Sequence, residues 1–276
     1  MTRATKAEME SRYQHLTDLA YEHGPCSVRH IYYRAVVAGV VPKNESGYNK
    51  VQRAVLDLRR EGEIPYQLIT DNTRWVTEAE TWNGVEDVLR HTARTYRRNL
   101  WAGSEYRVEV WVESDSIGGT IHSVVDKWAV PMFVCRGQVS ESFAHSAVET
   151  WKSDPDPTRI VLYIGDHDPA GIEIENSLIE KLDRFNDDDS DFVEYEFMRM
   201  ALTWDQIRAG DLPGSPPKKD YGYPLAVEAE ALPPNELRDL IDGEIEMYVD
   251  HHDLYLLQVA EKSEREIFMR MAGEVA

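Results

Sequence analysis

Cysteine is scarce. There are two in 276 residues, Cys26 and Cys135, in no Cys-x-x-Cys or Cys/His pattern. That excludes a disulfide framework and a structural zinc site, and it points to a reducing compartment. No apolar run approaches the length of a bilayer span, and the first residues, MTRATKAEME, hold no signal-peptide core, so a cytoplasmic protein without membrane partners is expected. There is no Walker A loop, no internal repeat and no low-complexity tract. Positive charge is also short: 30 Lys and Arg stand against 50 Asp and Glu, a net −20. Taken whole, that balance argues against a nucleic-acid partner.

Its distribution argues otherwise. Residues 1–107 hold 16 basic and 14 acidic side chains, and residues 108–276 hold 14 and 36. A phosphate backbone could therefore be met by the N-terminal third. Apolar residues make up 42%, enough for a buried core.

Three helices are expected first: Lys6 to His23, a second capped by Ser27 and closing near Gly39, and a third from about Tyr48 to Glu61. The third directs Val51, Ala54, Val55 and Leu58 inward and Lys50, Arg53, Arg59 and Arg60 outward. Ile64–Ile69, a turn at Asp71-Asn72, and Thr73–Val76 read as a β-ribbon. Three helices and a hairpin make a winged helix, a common DNA-binding layout, with the four basic residues as its DNA-facing side. Residues 1–80 form this domain and 81–105 a linking helix, Glu80 to Leu100. The arginines at that helix's end, Arg90, Arg94, Arg97 and Arg98, are a secondary DNA-contact candidate.

Residues 106–276 change to α/β texture with a helical tail. Strands are expected at Tyr106–Val112, Pro131–Cys135, Ile160–Ile164 and Phe192–Met200, with helices between them. This alternation implies right-handed crossovers and a parallel sheet flanked by helices. The third strand runs into Gly165-Asp166-His167-Asp168-Pro169-Ala170-Gly171. Asp168 is placed to cap the next helix, with Pro169 at its first position. Aspartates two residues apart can equally face one hard cation, since such a pair repels unless a metal or proton compensates it. Glu113 follows the first strand. If the two strands are neighbours, Glu113, Asp166 and Asp168 converge on one rim and can hold one or two Mg²⁺ ions, with Mn²⁺ as substitute. Asp115 is expected to cap the following helix, and His167 to lie at the surface or behind the ligands.

A strand ending in Glu and a later strand ending in Asp-x-Asp resemble the Toprim domain of topoisomerases, primases and certain nucleases, over about Tyr106 to Met200. VWVESDS followed by VLYIGDHDPAGI is similar in form to the topoisomerase VI A subunit and its relative, the meiotic double-strand-break transesterase. That family carries Arg-x-x-Tyr-Tyr on the second helix of its winged helix, matched here by Arg29-His30-Ile31-Tyr32-Tyr33. The resemblance implies that Tyr33 is the nucleophile, leaving a covalent 5′-phosphotyrosine on double-stranded DNA. Arg29, one turn away on the same helix face, would bind the scissile phosphate and favour phenolate. Glu113 would help hold the metal and move the proton. It also implies an enzyme of the isomerase class, nucleoid-associated, acting as a homodimer in which one subunit's tyrosine meets the partner's metal site. Strand passage would need a separate ATPase B-type subunit. Two other readings fit the residues: a hydrolytic Toprim nuclease using metal-activated water, and a non-catalytic winged-helix DNA-binding protein.

Overall fold

Local signals explain most elements of the fold, a computed structural model that describes residues 6–70, 78–187, 191–210 and 212–275. Helices α1 (Lys6–His23), α2 (Val28–Val37) and α3 (Glu45–Glu61) come first. The Ser27 side chain caps α2 by accepting from the His30 N–H, and Asn44 does the same for α3 through Gly47. Gly62, at φ 83°, closes α3 in the left-handed conformation. Lys50, Arg53 and Arg60 are exposed on α3. Arg59 is half-buried, its guanidinium 4.4 Å from the Tyr66 ring centroid.

The expected β-ribbon is corrected in part. Tyr66–Leu68 is a turn of 3₁₀-helix, and only Ile69 reaches a bridge, to Cys26. Pro65 offers no N–H to a sheet at this point. The second arm, Thr73–Val76, lies outside the described residues. Helix α4 (Val85–Thr95) is shorter than the expected Glu80–Leu100 linker. The arginines after it fasten the chain: Arg97 donates to the Lys127 carbonyl at 2.8 Å, and Arg98 pairs with Glu264 at 3.1 Å.

The rest alternates: β1 (Tyr106–Val112), α5 (Asp115–Lys127), β2 (Met132–Val134), α6 (Glu141–Lys152), β3 (Thr158–Ile164), α7 (Pro169–Asn186), β4 (Tyr195–Ala201) and α8 (Trp204–Gly210). Helices α9 (Pro234–Glu246) and α10 (His251–Glu274) follow. The four strands form one all-parallel sheet in the order β2-β1-β3-β4. Side chains alternate across it, so each face has its own core. Val108, Val110, Val112, Ile160, Leu162 and Ile164 meet α5, α9 and the N-terminal helices in one continuous apolar cluster. Trp111, Val161 and Tyr163 pack under α6 and α7 in a second. The first cluster runs across the boundary expected near residue 80. Among the described residues, no helix is long and apolar enough to cross a membrane.

An acid sits inside the second layer. Glu109 on β1 is 4% exposed, and accepts from Trp111 Nε1 at 3.1 Å and Trp151 Nε1 at 2.8 Å. Burial raises its pKa, against these two donors and nearby Arg159. Glu109→Gln keeps the volume but can accept from only one indole, leaving an amide donor against the other. We expect a loss of about 1–3 kcal/mol, read as a lower urea midpoint at unchanged slope. An unshifted midpoint would show that the two indoles do not depend on the carboxylate.

Candidate active site

β1 and β3 are hydrogen-bonded neighbours, with Val112 in register with Ile164. Their carboxyl ends therefore deliver Glu113 and the Gly165–Gly171 turn side by side. The Glu113 N–H donates to the Ile164 carbonyl at 2.9 Å, and Glu113 Oε2 accepts from the Asp166 N–H at 2.9 Å. The turn's glycines are explained by contact. A Cβ at Gly171 would lie 2.3 Å from the Asp166 carbonyl oxygen, and one at Gly165 would lie 2.6 Å from the Tyr163 hydroxyl.

Asp168 caps α7, its Oδ1 accepting from Ala170 N–H at 2.9 Å and Gly171 N–H at 2.7 Å. Asp166 points the other way, its Oδ1 accepting from the Ala229 N–H at 2.8 Å. Burial, then Glu113 and Glu230, push its pKa up to about 8. Burial also raises Glu113, with Asp168 adding to the effect. Among the described residues, no three His, Cys, Asp or Glu side chains are gathered into a set that could hold a metal ion.

Around the turn, the Asp115 cap is corrected, and of the two places expected for His167 the surface one is ruled out. Ser114, accepting from the Ile117 N–H, is the cap of α5, and Asp115 in its first turn pairs with Arg136 at 3.0 Å. His167 is buried at 3% exposure among Trp204, Tyr221 and Tyr223, with its Nδ1 3.2 Å from the Tyr221 hydroxyl. Its backbone pairs with Val227 in both directions, at 2.9 and 3.0 Å. That bridge sets the register of the next segment, Glu228 to Ala231, against the turn.

This segment is what sequence reasoning missed. Glu228-Ala229-Glu230-Ala231 reads as a possible strand end, and only its alternating acids hint at more. Arg34 donates to the Ala231 carbonyl. Ser27 and Ser116, 2.7 Å apart, pin the start of α2 to the first turn of α5. α2 is thereby held against the acids of the sheet rim. Arg29 Nε donates to Glu228 Oε2 at 2.8 Å, its Nη2 reaches the same oxygen, and Glu230 Oε1 lies 3.9 Å away. Burial opposes the Arg29 charge, yet Glu230 and Glu228 more than offset it and raise its pKa. The Glu230 side chain is 5% exposed. Arg199 of β4, also missed, braces the turn: its Nη2 donates to the Gly165 and Asp166 carbonyls, and its Nη1 pairs with Glu175.

Tyr33 is 2% exposed and lines one cavity with Glu228. Burial first, then Glu228, raise its pKa, and Arg29 opposes them without prevailing. Arg29 thus acts in the expected direction, toward phenolate, but burial and Glu228 outweigh it and favour the protonated hydroxyl. Tyr32 fits the core as expected, edge-on to Tyr33 and Tyr48 with centroids 5.2 Å away.

Two cavities meet at Arg29. One, about 310 Å³, is lined by Arg29, Tyr33, Lys43, Tyr48 and Glu228. The other, about 300 Å³, is lined by Arg29, Glu113, Asp115, Arg136, Asp166 and Glu230. Asp168 lines neither. A larger cavity of about 720 Å³ lies elsewhere, between Arg98, Trp101, Tyr106, Tyr248 and Leu256, without the tyrosine or the rim acids. In one chain, then, the tyrosine and the paired acids lie on either side of a single arginine. No protein-family model, curated protein or solved structure matches the chain.

Proposed function

We propose that this protein is a magnesium-dependent DNA transesterase of the topoisomerase VI A-subunit kind, cutting double-stranded DNA through a covalent 5′-phosphotyrosine at Tyr33. The observation that carries the reading is the position of Arg29, which lines both the tyrosine cavity and the acid cavity. A phosphate bound there would touch the nucleophile's cavity and the acids' cavity at once. Glu113 and Asp166, with Asp168 beside them, are the residues that would hold Mg²⁺ or Mn²⁺. Carboxylate oxygens suit hard cations, and two neighbouring acids made weak by burial are a pair that a cation relieves. A bound ion supplies positive charge to the phosphate and the leaving oxygen. The chain's own residues orient the phosphate at Arg29 and keep water from the buried Tyr33. Homodimerisation and a separate ATPase subunit belong to the same reading.

The test is incubation with supercoiled plasmid and Mg²⁺ or Mn²⁺, stopped with denaturant, with and without protease. Protein covalently joined to 5′ ends is the expected product. Cut DNA without attached protein would instead support hydrolysis by metal-activated water. The burial and protonation of Tyr33 favour that second reading.

The duplex is assigned to the exposed basic side of α3. Neutralising Lys50, Arg53 and Arg60 together should weaken DNA binding about 10- to 100-fold near 0.1 M salt. The slope of log K against log salt should flatten by roughly 0.9 for each phosphate that is no longer neutralised. An unchanged slope by fluorescence anisotropy would remove α3 from the interface.

A further inference from the structure

Resting on the transesterification reading, we propose that Glu228 takes the proton from Tyr33 during attack, and that the same transfer releases Arg29 to the scissile phosphate. Tyr33 and Glu228 line the same cavity, and the Glu228 carboxylate holds Arg29 through Nε at 2.8 Å and through Nη2. The acids of the sheet rim are otherwise engaged, Glu113 by the Asp166 N–H and Asp166 by the Ala229 N–H. Glu228 is reachable, its side chain one-third exposed in the cavity that holds Tyr33.

The charges around Glu228 set the order of events. Arg29 and Lys43 face it as cations, and Glu230 and Asp166 lie behind as acids. A free phenolate would sit in a buried place against a carboxylate, which like-charge repulsion disfavours. The proton therefore passes to Glu228 as the Tyr33 oxygen closes on phosphorus. Neutral Glu228 loses its hold on the guanidinium, and Arg29 turns its donors to the phosphate as negative charge builds there. Glu230 stays beside Arg29 and keeps it aimed. In the step the Tyr33 O–P bond forms and the P–O3′ bond breaks. The bonding pair leaves on O3′, which takes a proton from a water molecule. The proton held by Glu228 then neutralises the hydroxide so formed. The sum is one proton lost at Tyr33 and one gained at O3′.

The test compares the parent, Glu228→Gln and Glu228→Asp in covalent adduct formation across pH, with DNA affinity measured alongside. Glu228→Gln should form adduct about 10²–10⁴-fold more slowly near pH 7. Its rate should climb about tenfold per pH unit as hydroxide replaces the missing base, so the gap narrows in alkali. Its DNA affinity should hold or tighten, because Arg29 is no longer neutralised. Glu228→Asp keeps the acid and should recover part of the rate. Adduct from Glu228→Gln at the parent rate or faster near pH 7 would overturn the proposal and leave Glu228 as a placeholder on Arg29. Equal loss at every pH in both variants, without alkaline recovery, would also overturn it and make the residue structural. No adduct from the parent itself would remove the transesterification reading, and this role with it.

Discussion

Asp166→Asn should make the metal-free protein more stable than its parent above about pH 8, while abolishing DNA cleavage. The folded chain holds the Asp166 carboxyl up at about 8, from an ordinary value of 3.8, through burial and then the neighbouring Glu113 and Glu230. Between those two pH values the folded state keeps a proton that the unfolded chain has released. Stability from this group is full below about pH 4, falls as pH rises, and is lost by about pH 8. The cost at pH 8 is on the order of a few kcal/mol, or several degrees of melting temperature for a chain of this size. Asparagine carries no charge to bury and still accepts from the Ala229 N–H. With chelator present, the parent's midpoint should fall between pH 5 and 9 relative to the variant's. Mg²⁺ should restore the parent and leave the variant unmoved. Midpoints of parent and variant that run parallel across this range would mean the two acids do not repel, and the metal assignment would lose its basis.

Tyr33→Phe should leave no covalent adduct at all. Removing a nucleophile that has no substitute costs at least about 10⁴-fold. The fold should survive, since the phenyl ring keeps its edge-on contact with Tyr32 and its place under Lys43, and only a hydroxyl is removed. DNA affinity should be unchanged. Tyr32→Phe is the matched control. Tyr32 lines the same cavity, but its hydroxyl is spent on the Asn44 carbonyl at 3.4 Å, so the variant's adduct should form at the parent rate. Adduct persisting in Tyr33→Phe would place the nucleophile on another residue. Plasmid cutting that persists without adduct would assign the chemistry to water.

What could be read in advance tracks the range over which each signal acts. β1 begins and ends where its apolar alternation does, and β3 starts two residues before the run that marks it. The caps Ser27 and Asp168 were legible because a cap acts across three residues. The adjacency of β1 and β3, which sets Glu113 beside Asp166, follows from sheet order and could only be assumed. Whether His167 lay at the surface or behind the ligands could not be read, because its burial depends on Tyr221 and Tyr223, over fifty residues away. Glu228 and Glu230 were missed for the same reason: their partner Arg29 lies about 200 residues earlier. The arginines after α4 look like a basic patch in one dimension, yet Arg97 and Arg98 are committed to α5 and α10.

The bond from the Ala229 N–H to Asp166 spans 63 positions. β4, α8 and the Tyr221–Tyr223 cluster all lie on the excursion between its two ends, and the excursion returns to where it left. Closing a loop of this length costs about 3–4 kcal/mol of chain entropy before any contact at its neck repays it. The neck is the candidate active site. β1 and β3 set Glu113 beside Asp166 when they pair, and Glu228 and Glu230 join them only when this loop closes. A nascent chain on the ribosome cannot place Glu228 and Glu230 at the rim until synthesis has passed them, so under the proposed function activity would arrive only with the finished fold.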